Sequence, residues 1–183
     1  LFAQGAPIDS FGVGTKLATC DPQPSLGGVY KLSAVRSGAD EPWTPVIKLS
    51  EQAYKRTIPG VQRVLRYYDD ADCPTGDMIC LEGAPVEDSA HMLDILDTYA
   101  SYDLAGTPRD LLEKIVDHGS RTREPDGIEV ARDRCRNALM HLDPAVARFL
   151  NPQAYPVGLE LGLARLRHDL AHVETHALPQ IQH

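Results

Sequence analysis

The feature that most constrains this chain is a glycine-rich turn near its start, Phe11-Gly12-Val13-Gly14-Thr15. Before it lies a segment over 8–11 that reads as a short buried strand. After it, residues 16–20 read as a short helix. A strand, a glycine turn and a helix start in succession offer unpaired backbone N–H groups at the positive end of a helix dipole. Glycine lets a ligand approach the backbone closely and permits positive φ. Thr15 adds a hydroxyl and Lys16 a charge, so the run has the chemistry of a phosphate cradle. Such turns also serve packing alone, and on the motif by itself both readings stay open.

Residues 1–5 read as the last turn of a helix closed by Gly5, and residues 21–28, with two prolines and two glycines, read as a loop. Strands are expected over 29–35, 46–49, 63–67 and 78–81, separated by turns at 37–40, 58–60 and 74–77. From about residue 88 the pattern turns helical. Leu93, Leu96 and Ala100 share a helical face, Thr107-Pro108 is an N-cap and first-turn pair, and Gly119 closes that helix. Ile128, Ala131, Cys135, Ala138 and Leu142 form a second stripe, and Leu163, Leu166, Leu170 and Val173 a third. The organisation expected is therefore a barrel end with the phosphate-binding turn over 1–20, a β-rich region over 21–87 and a helical region over 88–183.

Charge sharpens the reading of the first third. The net charge is -8, which argues against a nucleic-acid surface. Yet between Lys16 and Arg66 there are eight basic and four acidic side chains. A basic stretch in an acidic chain is either a local anion site or a solvated sheet face. The four cysteines, Cys20, Cys73, Cys80 and Cys135, lack zinc-knuckle spacing and fit free thiols in a reducing compartment, hence a cytoplasmic protein. No run of eighteen apolar residues marks a membrane span. The chain opens Leu1-Phe2-Ala3 without a methionine and can be read as an internal segment.

Other clusters point less far. His168, His172 and His176 recur every four residues and share a helix face, but no cysteine joins them, so no metal site is expected. Asp69, Asp70, Asp72 and Asp77 surround a turn without EF-hand spacing and read as a solvated hairpin tip. Cys73 and Cys80 flank that turn. His141 reads as structural.

The longer run over residues 6–35, from Ala6-Pro7-Ile8-Asp9-Ser10 through Leu26-Gly27-Gly28-Val29-Tyr30-Lys31-Leu32, closely resembles nicotinate phosphoribosyltransferases. Similar segments follow: Ile47-Lys48-Leu49-Ser50, Lys55-Arg56-Thr57-Ile58-Pro59-Gly60, residues 63–67, and Arg148-Phe149-Leu150-Asn151-Pro152 with Tyr155-Pro156-Val157. The resemblance is weakest over about 85–125.

The resemblance implies an α/β fold, the C-terminal part of a type II phosphoribosyltransferase: the last strand of an irregular barrel, a small β-rich region and C-terminal helices. It implies formation of nicotinate mononucleotide from nicotinate and 5-phosphoribosyl 1-diphosphate, driven by ATP hydrolysis. Magnesium would accompany the polyphosphates, and the full enzyme would be a homodimer. Thr15, with Gly12 and Gly14, matches the phosphoribosyl-contacting turn. Lys31 and Lys48 match basic positions of the related nicotinamide-specific family that bind substrate or nucleotide phosphates, partly across a dimer interface. A third such position falls on Lys55 or Arg56. Each of these cations can also be read as a strand-edge residue that keeps a sheet soluble. The family's phosphorylated histidine and its nicotinate-contacting residues are expected before Leu1, so the 183-residue chain alone is expected to be inactive. The alternatives are a nicotinamide-specific enzyme and an inert structural or interaction fragment.

Overall fold

A computed structural model describes residues 1–12, 14–19, 21, 25, 28–50, 56–97 and 99–177, with side chains of the last helix described as far as His172. The chain divides into two units, Leu1–Lys31 and Leu32–His183.

In the first unit, a 3-10 turn at Phe2–Gln4 ends at Gly5, whose φ of 73° lets the Ala6 amide return to the Leu1 carbonyl. The helix expected after the glycine turn is present as α1, Thr15–Ala18. The strand expected over 8–11 is not. A strand exists only where a neighbour takes up its N–H and C=O groups, and this segment has no ladder partner among the described residues.

The second unit is built on a six-stranded mixed sheet. β1, Ala34–Val35, and β2, Thr44–Pro45, form a small antiparallel pair outside it. Of the strand expected over 29–35 only Ala34–Val35 finds a ladder partner, and the strand expected over 46–49 is absent, the pairing falling just before it at Thr44–Pro45. The large sheet contains β3 (Gln62–Tyr68), β4 (Pro74–Leu81), β5 (Ser89–Asp94), β6 (Ser101–Ala105), β7 (Thr107–Asp110) and, further along, β10 (Val157–Glu160). Its order is β6-β5-β10-β4-β3-β7, with β10 parallel to β4 and every other pair antiparallel. A short hairpin, β8 (Val116–Asp117) and β9 (Ser120–Arg121), stands apart.

Alternation explains the core. Leu65 and Tyr67 of β3, Met78 and Cys80 of β4, Met92 of β5 and Leu104 of β6 point inward and form one buried cluster. Period-2 spacing sends Val64, Arg66 and Tyr68 to the other face. The Tyr67 hydroxyl, carried into the core, donates to the Glu87 carbonyl at 3.1 Å. β6 and β7 lie at opposite edges of the sheet yet are joined by Gly106 alone. One residue spans only about 3.3–3.6 Å, so the sheet rolls until its edges meet there. Gly106 holds φ at 115° with the Tyr68 carbonyl where a Cβ would stand, which leaves no room for another residue.

The helices expected over 88–119 are strands instead. Ala90 and Met92 face the core from β5, and Tyr102 and Leu104 do so from β6, a period of two that overrides the spacing of Leu93, Leu96 and Ala100. Between them the Asp94 carboxylate accepts from the Leu96 and Asp97 amides and turns the chain. Thr107-Pro108 opens β7 at the sheet edge, where the missing proline N–H costs no ladder bond. The turn expected at 74–77 is absorbed into β4.

Three helices follow. α2, Ile128–Met140, carries the expected stripe but buries none of its residues. α3, Pro144–Ala147, is capped by the Asp143 side chain. α4, Leu161–Ala177, is the expected final helix. Its Glu160 carboxylate caps the Gly162 and Leu163 amides, and Leu163 is fully buried. α4 packs on β4, β5 and β10. Gly158 allows close pairing there, since a Cβ would stand 2.5 Å from the Leu93 carbonyl oxygen. Among the described residues no helix is long and apolar enough to cross a membrane.

Candidate functional site

The glycine turn begins with exposed backbone. Gly14 caps α1 in an extended conformation, φ -84° and ψ 169°. The Gly14 carbonyl takes the Leu17 amide at 3.1 Å and the Ala18 amide at 3.3 Å. Among the described residues no carbonyl reaches the amides of Thr15 or Lys16, so both remain donors. Neither Gly12 nor Gly14 has positive φ, and a Cβ on either would meet nothing within 4 Å. Conformation therefore does not demand glycine here, and what its small size leaves open is room for an approaching group. The Lys16 ammonium sits 3.3 Å from Asp21 rather than over the turn. Val13 lies outside the described residues.

The other expected cations are distributed between the units. Lys31 is exposed at the end of the first. Lys48 is exposed in the second, its backbone fixed by the Lys48 amide donating to Thr57 Oγ1 at 2.7 Å and the Thr57 amide donating to the Lys48 carbonyl. Lys55 lies outside the described residues. Arg56 donates from Nε to the Ser50 carbonyl at 3.1 Å and lines a small cavity shared with Arg167 and His168.

Sequence reasoning missed the cluster on the outer face of the sheet. Arg66 of β3 stands in register with Asp77 of β4 and with Arg109 of β7. Arg66 donates to Asp77 twice, at 2.7 and 2.8 Å, and the Tyr155 hydroxyl donates to the same carboxylate at 2.9 Å. The hydrogen bonds to Asp77 hold the Arg66 guanidinium firmly charged, against a smaller opposing effect of burial. Burial, then the bond to Asp77, pushes the Tyr155 phenol well above its ordinary range. Arg109 pairs with Asp72 and lies over the Tyr68 ring, 4.1 Å from its centroid. Arg66, Tyr68, Asp72 and Arg109 line, with Asp133, Arg134 and His141, a cavity of about 580 Å³ beside α2. Every arginine named here meets a carboxylate, and His141 Nδ1 lies 2.8 Å from the Asn137 carbonyl. The cavity is thus electrostatically balanced, and its arginines order the sheet. The legible signal was alternation, which sets Arg66 opposite Asp77 once the hairpin register is known.

The acidic turn is used locally. Asp69 accepts from the Ala71 and Cys73 amides, and Asp72 and Asp77 are both paired with arginine. Cys73 and Cys80 are free thiols, and burial raises the Cys80 thiol above its ordinary value. Cys20 lies outside the described residues, as does the side chain of His176. The His168 and His172 rings are exposed and tilted against each other at 4.0 Å.

Residues 61–167 match the sequence profile of the nicotinate phosphoribosyltransferase C-terminal domain. The chain is 34% identical over 163 residues to a nicotinate phosphoribosyltransferase of Bacillus subtilis, covering 87% of this chain and 33% of that protein. It is 30% identical over 173 residues to the Homo sapiens protein of the same name, covering 93% of this chain and 31% of the relative. The crystal structure of human nicotinic acid phosphoribosyltransferase superposes with a TM-score of 0.63 at 25% identity, over 80% of this chain and 27% of that one. The chain thus spans about a third of the length of the curated relatives it matches.

Proposed function

The chain belongs to the nicotinate phosphoribosyltransferase family, and from that premise we propose that it supplies the C-terminal part of an enzyme joining nicotinate to 5-phosphoribosyl 1-diphosphate. The products are nicotinate mononucleotide and diphosphate, and ATP hydrolysis drives the reaction toward NAD. The observation that carries this reading is likeness over 93% of the chain to a nicotinate phosphoribosyltransferase. The names of these relatives favour nicotinate over nicotinamide as the base.

Within this reading the Thr15 and Lys16 amides and the Thr15 hydroxyl hold the 5-phosphate, and Gly12 and Gly14 keep the approach clear. Their support is the open backbone donors described above. Lys31, Lys48 and, at the third position, Lys55 or Arg56 contact diphosphate or ATP phosphates, where converging cations neutralise the charge on the leaving group. Magnesium enters bound to the polyphosphate oxygens rather than in a protein cage. The histidine that ATP phosphorylates and the groups that bind nicotinate belong to other parts of the enzyme. The reading places the enzyme in the cytoplasm as a homodimer.

The test is turnover by the protein that contains this chain, given nicotinate, 5-phosphoribosyl 1-diphosphate and magnesium ATP. Nicotinate mononucleotide should form. Thr15→Ala should raise KM for the phosphoribosyl substrate about tenfold or more, the worth of one hydrogen bond to phosphate. Preference for nicotinamide, or no product, would overturn the assignment.

A further inference from the structure

The cavity that holds Arg56 differs in charge from the one beside α2. It measures about 130 Å³ and lies where α4 crosses the end of β5. At about 30 Å³ per water, it has room for roughly four waters or one tetrahedral oxyanion. Ile47 and Leu159, both buried, form an apolar floor, and Ile95 and Ala164 stand beside them.

Two guanidinium groups share this space. Arg167 is partly buried and donates from Nη1 to the Ile95 carbonyl at 3.0 Å. Arg56 donates from Nε to the Ser50 carbonyl. Each arginine carries five N–H donors, and among the described residues these are their only hydrogen bonds and neither forms an ion pair. The arginines of the sheet are treated differently, Arg63 being given to Asp110, Arg66 to Asp77 and Arg109 to Asp72. Among the described residues the only acid lining the cavity is Asp94. Its carboxylate is already occupied, one oxygen by the Leu96 and Asp97 amides and the other by the Tyr102 hydroxyl. Burial lowers the Arg167 pKa and the neighbouring Arg56 charge lowers it further. Both guanidinium groups thus line one cavity in which, among the described residues, no carboxylate is left to pair with them. His168 lines the same wall one residue beyond Arg167.

We propose that Arg56, Arg167 and His168 form a site for a phosphate group, either inorganic phosphate or the phosphate of a small phosphorylated molecule. A doubly charged tetrahedral oxyanion relieves the repulsion between the two guanidinium groups and takes up their spare donors in forked pairs. The apolar floor excludes water behind it and strengthens those bonds. The site stands on this cavity and does not rest on the reaction proposed above, in which Lys55 rather than Arg56 then supplies the third cation.

Calorimetry on the protein containing this chain tests it, with inorganic phosphate, adenosine monophosphate and acetate as probes. The expected result is saturable binding of a phosphate probe and none of acetate. Arg167→Met and Arg56→Met each keep an apolar stem and should weaken binding about tenfold or more, whereas Thr15→Ala should leave this binding unchanged. Arg167→Lys should restore part of it. Tight binding of the nucleotide over phosphate identifies a phosphorylated ligand, and the reverse identifies free phosphate. Should Arg167→Met fail to fold, Arg56→Met, at the exposed side of the cavity, carries the test. Binding unchanged in Arg56→Met, binding removed by Thr15→Ala, equal binding of acetate, or no phosphate binding at millimolar concentration would each overturn the proposal.

Discussion

Arg66 and Asp77 sit opposite each other across β3 and β4, joined by two hydrogen bonds of 2.7 and 2.8 Å, and Tyr155 closes the same carboxylate from seventy-eight residues away. This is how the segment after α3 is tied to the first hairpin of the sheet. The Asp77 amide also takes the Pro156 carbonyl at 3.0 Å, so backbone and side chain fix the same join.

Asp77→Asn keeps the shape and removes the charge. Arg66 is then left partly buried with a neutral partner, and the loss should be about 2–4 kcal/mol. Tyr155→Phe removes one hydrogen bond and should cost about 1 kcal/mol. Urea unfolding of both variants measures this. Midpoints equal to that of the unaltered protein would mean the cluster is superficial.

Leu163 is the side chain that buries α4 against the sheet. Leu163→Ala should destabilise by about 2–5 kcal/mol, because the packed wall cannot collapse fully into the space left. Thermal unfolding checks it, and a change under about 1 kcal/mol would show that α4 docks by other contacts.

Gly158→Ala drives a methyl into the Leu93 carbonyl and the Met92 side chain. It should cost more than about 3 kcal/mol and open the ladder between β5 and β10. Gly83→Ala, in open space, should stay within about 0.5 kcal/mol. Hydrogen exchange at the Leu93 and Glu160 amides separates the two, and similar protection in both variants would contradict the packing described.

Cys80 is buried with its thiol pKa raised, whereas Cys135 is exposed on α2. Iodoacetamide at pH 8 should modify Cys135 in the folded protein and reach Cys80 only in denaturant. Mass spectrometry of the digested protein reads this out, and early labelling of Cys80 would place it outside the core.

Asp94 is held below its ordinary carboxylate value, first by the Asp97 amide, then by the Leu96 amide, with Tyr102 contributing less. A carboxylate with a depressed folded pKa stabilises the fold above its unfolded value of 3.8. That contribution is lost as pH falls through the lower folded value. Melting temperature should therefore drop more steeply below about pH 4 in the unaltered protein than in Asp94→Asn. Parallel curves would remove Asp94 from the turn that ends β5.

Several elements were legible because their cause is local. The inward faces of β3 and β4 follow from alternation at Leu65, Tyr67, Met78 and Cys80. α4 follows from the spacing of Leu163, Leu166 and Leu170, and α1 from the glycine turn. The segment over 88–119 was misread because Leu93, Leu96 and Ala100 also satisfy a helical period. Only pairing between β5 and β6 selects the strand. The strand expected over 8–11 failed for the related reason that extended chain without a partner has nowhere to send its hydrogen bonds.

The candidate sites divide in the same way. Gly12, Gly14 and Thr15 could be named from sequence because they form a contiguous motif whose chemistry is its own backbone. Arg56 drew notice from the family resemblance of its segment, but Arg167 did not, since 111 positions separate them and no pattern along the chain joins them. By itself the sequence determined the family, the glycine turn and the inward faces of individual strands, all of which depend on residues close together in the chain. Tertiary structure alone decided which carboxylate meets which arginine, where the sheet rolls shut, and which two arginines share a cavity without an ion pair among the described residues. Those relations depend on register and on distances through space, and a linear order of residues carries neither.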